Sequence, residues 1–383
     1  AIDVYESIFS PTLYAEFFLI DGIDLLNTFP IVGEEQIELT FKSSTNEPKT
    51  YTFHVVQPSD IQDIASEKAK QYKLRCFSEE HLINQTNRFT KKYNTTGDNI
   101  VQDIIRNMLK TDKDIVVEKT KGIESLIVPK LHPLEAIDMI KQRAVSAENV
   151  SSSYVFFENA MGFYFITIEK LMFDGANQSE IVKFSYNQAA LLDLNKSIYR
   201  NVLGLSRSVN TNTVQKLNSG KKYGVKTFDV LTGKIASYEY NNDADQSKFK
   251  FASATNPNNT SKFEEKYQSK GQSQVYFVPK DGSKPDNFIE QKVLFNTAYQ
   301  QKLMSDSTVI TVWGDSNLLA GQVVECELPT GSPAITTSAN ESDRLYAGNY
   351  LIHSLRHSMQ LGGVNRKYYC ALGLLKGNYE DVT

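Results

Sequence analysis

The chain has 383 residues, 40% of them hydrophobic and 11% aromatic, and a formal net charge of −4. At roughly 150 residues per domain that predicts two to four domains, with ample chain to bury a core. A general nucleic-acid binder carries a basic excess to neutralise phosphates, whereas here 41 Lys and Arg stand against 45 Asp and Glu.

The first 80 residues read as strands. In EEQIELTFKS, Ile37, Leu39 and Phe41 alternate with polar neighbours. That period of two describes a half-buried strand. YTFHVV, KQYKLRCF and TLYAEFFLI repeat it with Tyr51, Phe53 and Val55, with Tyr72, Leu74 and Cys76, and with Leu13, Ala15, Phe17 and Leu19. Four strands with one apolar face must close on something, which predicts a small antiparallel barrel or sandwich. The basic run FTKKY (89–93) reads as a solvated loop.

The period then changes. In GDNIVQDIIRNMLK, Ile100, Val101, Ile104, Ile105 and Met108 form a helical stripe, with Asp98 as the expected N-cap. HPLEAIDMIKQRAVS is a second helix, with Pro133 in its first turn, where a missing N–H is harmless. YVFFENAMGFYFITIEKL reads as a hairpin, Tyr154–Glu158 and Phe163–Leu171 about a turn at Asn159–Gly162. Strands return over 212–240, with turns at NSGKK and LTGK. Residues 241–285 are polar and read as an insertion or surface excursion. NFIEQKVLFNTAYQQKLM (287–304) reads as a helix. STVITVWG, GQVVECELP, YLIHSLRHS and RKYYCALGLL close the chain as four strands. The last resembles KQYKLRCF, both basic with Tyr and Cys, a hint of duplication.

The chemistry offered is sparse. Cys76, Cys326 and Cys370 are far apart and form no CxxC pair, so neither a zinc knuckle nor a redox motif is expected. Glu325 and Glu327 differ by two and share one side of a strand, while Val324, Cys326 and Leu328 share the other. A solvated strand face fits them better than the facing carboxylates of a glycoside hydrolase. Asp315, between Gly314 and Ser316–Asn317 and close to the single Trp313, is turn chemistry. The other histidines are His54, His81 and His132. His353 and His357 have the i, i+4 spacing of a helical zinc pair, but Ser354 stands where the general base would be, and on a strand they lie about 13 Å apart. No G-x-S-x-G occurs, no Cys has a His beside it in sequence, and GKK (220–222) lacks the rest of a phosphate loop. No catalytic, cofactor-binding or metal residue is therefore assigned, and no cofactor is expected. The opening AIDVYESIFS lacks the pattern of a leader, and no run approaches a membrane span, so no membrane anchor is expected.

The order of the segments carries more than any motif. LIDGIDLLNTFPIVGEEQIELTFKS (19–43), NIVQDIIRNML (99–109), IVPKLHPLEAIDMIKQRAVS (127–146), YVFFENAMGFYFITIEKL (154–171), VITVWGDSNLLAGQVVECELP (309–329) and GNYLIHSLRH with YYCALGLLKG (348–377) resemble, in sequence along the chain, the baseplate hub proteins of contractile-tailed phages of the T-even type and the hub module of type VI secretion spike proteins. The resemblance implies an α+β, mostly β fold. Two similar antiparallel, tail-tube-like β-barrels, residues 1–92 and 205–240 plus 306–383, flank a mixed α/β domain over 93–204, with a polar insertion and helix at 241–305. It implies a structural homotrimer, not an enzyme. Its ring is a pseudo-sixfold adaptor between a hexameric tail tube and a trimeric central spike, with a channel for DNA.

The implied partners are the spike, the tail tube or tube-initiator protein, baseplate wedge proteins and a tape measure protein, with DNA only in transit. The implied place is the virion tail baseplate, assembled in the host cytoplasm. Glu325 and Glu327, or Glu34 and Glu35, are then expected to face a lumen or a neighbouring subunit. The alternatives are a receptor- or glycan-binding tail module and a tail-associated glycan hydrolase.

Overall fold

A computed structural model describes residues 1–28, 31, 33–43, 47–64, 69–185, 198–209, 222–229, 233–241, 273–278, 288, 292, 296, 306–327, 347–362 and 366–376. Five strands lead: β1 (Ile2–Ser7), β2 (Tyr14–Asp21), β3 (Gln36–Phe41), β4 (Lys49–Ile64) and β5 (Ala69–Phe77), with a short helix α1 (Leu25–Thr28) after β2. Their alternation does what a pleat requires. Val4, Ala15, Phe17, Phe53, Val55, Tyr72, Leu74 and Cys76 turn inward into one core, and the intervening residues face out. Each large side chain so buried contributes about 1.5–3 kcal/mol.

A middle unit follows. It comprises α2 (Glu79–Thr86), β6 (Phe89–Thr95), α3 (Gly97–Asp103), β7 (Ile115–Val117), β8 (Glu124–Leu131), α4 (Pro133–Lys141), β9 (Tyr154–Asn159), β10 (Gly162–Thr167) and α5 (Ile168–Ala176). The expected helical stripe is buried: Ile100, Val101, Ile104 and Ile105 pack with Ile137, Ile140, Phe163 and Phe165. Pro133 opens α4, where the Glu135 carboxylate accepts from the His132 amide at 3.0 Å.

Three expectations need correction here. FTKKY is not a loop: β6 pairs with β8, Tyr93 is buried, and Lys91 and Tyr93 both reach Asp103 at 2.7 Å. Asp98 is not the N-cap: Thr96 is, and the Asp98 carboxylate accepts instead from the Thr120 hydroxyl at 2.8 Å. The second hairpin strand stops at Thr167, whose hydroxyl caps α5 by accepting from the Lys170 amide at 3.2 Å.

The rest of the described chain is β. It forms β11 (Val182–Ser185), β12 (Val202–Val209), β13 (Lys222–Asp229), β14 (Ile235–Asn241), β15 (Ser273–Val278), β16 (Asp306–Trp313), β17 (Val323–Glu327), β18 (Gly348–Gln360) and β19 (Lys367–Lys376). β13 and β14 form the hairpin expected around LTGK, with Gly233 at φ 70 in its turn. The NSGKK turn lies outside the described residues, apart from Lys222. Within the polar stretch, SQVYFV is a strand, β15, running parallel to β13. The helix expected over 287–304 lies outside the described residues except at three isolated positions.

The two ends of the chain meet in one eleven-stranded sheet, ordered β12-β16-β19-β18-β1-β2-β5-β4-β3, with β17 on β18 and β11 on β17. The joint is the antiparallel β1–β18 pair, with Val4 opposite His357 and Glu6 opposite Leu355. The fold is thus mostly β, as expected. No closed barrel forms among the described residues. Instead, two separate cores back one long sheet, one built on Phe17, Phe53 and Tyr72 and one on Ile310, Val324, Tyr350 and Leu372. A third core, around Phe157, Leu171, Val323 and Leu351, fastens the middle unit to the second half.

Candidate functional site

The acids that the sequence brings forward do not converge. Glu325 lies opposite Lys183 in the parallel β11–β17 pair and meets it at 2.7 Å, with side chains 29% and 64% exposed. Glu327, two residues on, is exposed, while Val324 and Cys326 are fully buried on the other face. Leu328 lies outside the described residues. The alternation is as expected, and the pair lies on a solvated strand face. Asp315 does sit in a turn, accepting from the Asn317 amide at 2.9 Å. It is also buried and bound to Arg200 at 3.1 Å, a tie across 115 residues that its local sequence does not reveal. Trp313 stacks on Tyr369 at 5.1 Å. Glu34 is exposed, whereas Glu35 braces its own turn by accepting from the Gly33 amide at 3.0 Å.

The histidines are equally dispersed. His81 stacks on Phe77 at 4.2 Å. His132 binds the carbonyls of Asn84 and Asn87 through Nδ1, at 2.7 and 2.9 Å. His54 lies on β4. His353 and His357 are on a strand, as expected, and a bulge between Ile352 and Ser354 puts His353 out of register beside Phe9. Among the described residues, no group of three or more His, Cys, Asp or Glu could hold a metal ion.

One constellation escapes a reading along the chain. His357 is the cross-strand partner of Cys370, and its Nδ1 lies 3.3 Å from the thiol and 2.8 Å from the Tyr368 hydroxyl. A Cys therefore does have a His beside it, in space rather than in sequence. The pair is chemically quiet. Both residues are fully buried. Burial pushes the thiol up to about 12 and the imidazole down to about 3, so neither ionises near neutrality.

The outward face of the long sheet carries a more organised feature. Arg356, Tyr5, Tyr14 and Phe77 are successive cross-strand partners on β18, β1, β2 and β5. Their side chains form a row. The Arg356 guanidinium lies 5.6 Å from the centre of the Tyr5 ring, Tyr5 and Tyr14 are 5.5 Å apart, and Tyr14 and Phe77 are 4.9 Å apart. Asp3 anchors Arg356 at 2.6 Å. A groove of about 510 Å³ opens alongside, lined by Tyr5, Ser7, Tyr14, Gln57, Arg75 and Phe77.

Aromatic rings and Arg are the residue types enriched where protein surfaces meet, and cross-strand stacking holds these rigid before any contact is made. The alternation in sequence marks these residues only as the outward set. Their alignment into one row depends on the register of four strands, two of them some 350 residues apart in the chain.

No protein-family model matches the chain, and no curated protein matches its sequence. Its structure does have counterparts. One is the tail protein from Neisseria meningitidis MC58, with a TM-score of 0.57 at 9% identity, covering 99% of this chain and 92% of that one. Another is the 43 kDa tail protein of prophage MuSo2 from Shewanella oneidensis, with a TM-score of 0.50 at 10% identity, covering 100% of this chain and 95% of that one. The likeness is one of fold and runs from end to end: the chain has the fold of these tail proteins.

Proposed function

We propose that the chain is a structural protein of a phage-type tail and, more narrowly, the hub of a contractile baseplate. The observation that carries the reading is the end-to-end likeness in fold to tail proteins of similar length. The sheet supports it. β5 and β19, whose sequences resemble each other, each lie inside their half of the sheet, and their cysteines, Cys76 and Cys370, are each fully buried in a different core. Two related halves in one chain are what a pseudo-sixfold ring of three copies needs.

In this reading three chains close head to tail, and each half of the long sheet supplies one tube-like wall. Residues 1–92 and 205–240 plus 306–383 are the two walls, 93–204 is the mixed unit, and 241–305 the insertion. β6 crosses the first boundary to pair with β8, so the division falls more naturally before Phe89. The ring joins a hexameric tail tube, or its initiator, to a trimeric spike, contacts wedge and tape measure proteins, and passes DNA. The aromatic row on β18, β1, β2 and β5 is the contact surface we assign to assembly, and the exposed Glu34 and Glu327 face the lumen or a neighbour. The protein works in the virion tail and assembles in the host cytoplasm. It performs no reaction, since force comes from elsewhere and the hub transmits it.

The test is mass by light scattering, alone and mixed with the trimeric spike protein from the same genome. A trimer in either condition is the expected result. A monomer in both overturns the hub reading.

A further inference from the structure

The β4–β5 hairpin carries a hole on one face and a knob on the other. The hole is the groove beside the aromatic row, where Tyr14, Phe77 and Arg75 meet Val56 and Gln57. A bulge in β4, between Val55 and Gln57, leaves Val56 40% exposed there. The knob is Asp60–Ile61–Gln62–Asp63. A second bulge, between Ser59 and Gln62, shapes it, with Asp60 at φ 53. Ile61 is 53% exposed, and Asp60, Gln62 and Asp63 are exposed with it. Strand pairing decides the faces. Phe77 and Arg75 alternate with Cys76, Leu74 and Tyr72, which turn into the core. Gln62 pairs with Gln71 and Asp63 with Lys70, so Asp63 falls on the face of Tyr72, and Ile61 with it.

Two charges on this hairpin are left over. Among the described residues neither Arg75 nor Asp63 makes an ion pair. Each has lost its cross-strand neighbour to another group. Glu16, opposite Arg75, accepts from the Tyr14 hydroxyl, and Lys70, opposite Asp63, binds Asp24 at 2.8 Å. Arg75 and Asp63 cannot serve each other within one chain. Asp63 is level with Lys70, which lies about 17 Å from Arg75 at the rise of a strand, and it faces the other way. Their neighbours match in spacing. Ile61 and Asp63 are two residues apart, as are Phe77 and Arg75, so each apolar side chain stands about 7 Å from its charge.

We propose that Ile61 of one copy seats against Tyr14 and Phe77 of the next, with Asp63 on Arg75, so that the β4–β5 hairpin is itself the joint between copies. The inference rests on the reading of the chain as a ring-forming tail protein and names the residues that close the ring. A twofold contact pairs one patch with itself, whereas a hole and a knob on opposite faces repeat from copy to copy around a closed ring. The apolar contact supplies the binding energy on a wall already held rigid by ring stacking. The charge pair at its side fixes the register and rejects wrong neighbours.

Charge reversal on the full chain tests this, by light scattering in whichever condition, alone or with the spike, gives the wild-type trimer. Arg75→Glu and Asp63→Lys should each raise the concentration at which half the chain is trimeric by about tenfold or more, and the double variant should recover most of the loss. A cross-link gives a second readout. A chain with Arg75→Cys and Asp63→Cys, treated with a short bis-maleimide, should give linked dimers and trimers on a denaturing gel, while the natural cysteines are buried and stay out of the reaction. A trimer indifferent to both reversals, a double variant no better than the single ones, or a trimer that yields no link overturns this inference and leaves the hub reading standing. A wild-type chain that is monomeric both alone and with the spike overturns both. If a reversal variant does not fold, the cross-link decides.

Discussion

Replacing Gly162 with alanine tests the closest backbone approach in the middle unit. Gly162 has φ 131, in the region that only glycine adopts freely. A Cβ there would lie 2.3 Å from the Asp114 carbonyl oxygen, 3.0 Å from its carbonyl carbon and 3.2 Å from its amide nitrogen. These are backbone atoms, so no side chain can swing aside. The Asp114 carbonyl is moreover tied to the Phe163 amide at 2.8 Å, at the start of the β7–β10 pairing.

Strain at such a φ costs about 1–3 kcal/mol. Breaking that hydrogen bond and displacing β7 adds on the order of 1–2 kcal/mol. The expected loss is about 2–5 kcal/mol, read from the urea midpoint at unchanged slope. Two further glycines calibrate it. Gly233 has φ 70 and nothing within 4 Å of a Cβ, so Gly233→Ala should cost only the conformational term, about 1 kcal/mol. Gly22 has neither constraint, so Gly22→Ala should fall within about 0.5 kcal/mol of wild type. A Gly162→Ala loss no larger than that of Gly233→Ala refutes the argument from close approach.

Other outcomes follow from the same structure. Phe157 is fully buried in the core that fastens the middle unit to the second half, so Phe157→Ala should cost about 3–5 kcal/mol in urea unfolding. A loss below about 1 kcal/mol would mean that this core is not packed as described. Cys76, Cys326 and Cys370 are buried and each is pushed up to about 12, so iodoacetamide at pH 8 should label none of them in the native protein and all three in urea. Rapid native labelling of Cys370 would contradict a quiet His357–Cys370 pair. Glu325→Gln should leave the thermal midpoint unchanged, because its partner Lys183 is 64% exposed. A drop of several degrees would show that this acid is structural after all.

The sequence alone determined the elements whose pattern is local. The strand alternation of 36–41, 51–56 and 70–77, the helical stripe of 100–108, which α3 begins and a π-helical turn at Ile104–Met108 completes, and the Pro-led start of α4 each depend on residues within one or two turns, and each is present. It also set aside Glu325, Glu327 and the His353–His357 spacing, because a period of two already puts the acids on a solvated side and the histidines too far apart.

Tertiary structure decided what depends on register. Thr120 draws Asp98 away from capping, β8 turns FTKKY into a strand, and Arg200 gives Asp315 a partly buried ion pair in addition to its turn. His357 meets Cys370, and Arg356 meets Tyr5, only because β18 pairs with both β19 and β1. Glu6 gives the clearest case. Its sequence shows one of two acids in a strand of six residues, but its donors lie 45, 154 and 314 residues away. Nothing within reach of a local pattern could place them there, because hydrogen bonds across such separations are set by packing rather than by any neighbour in the chain.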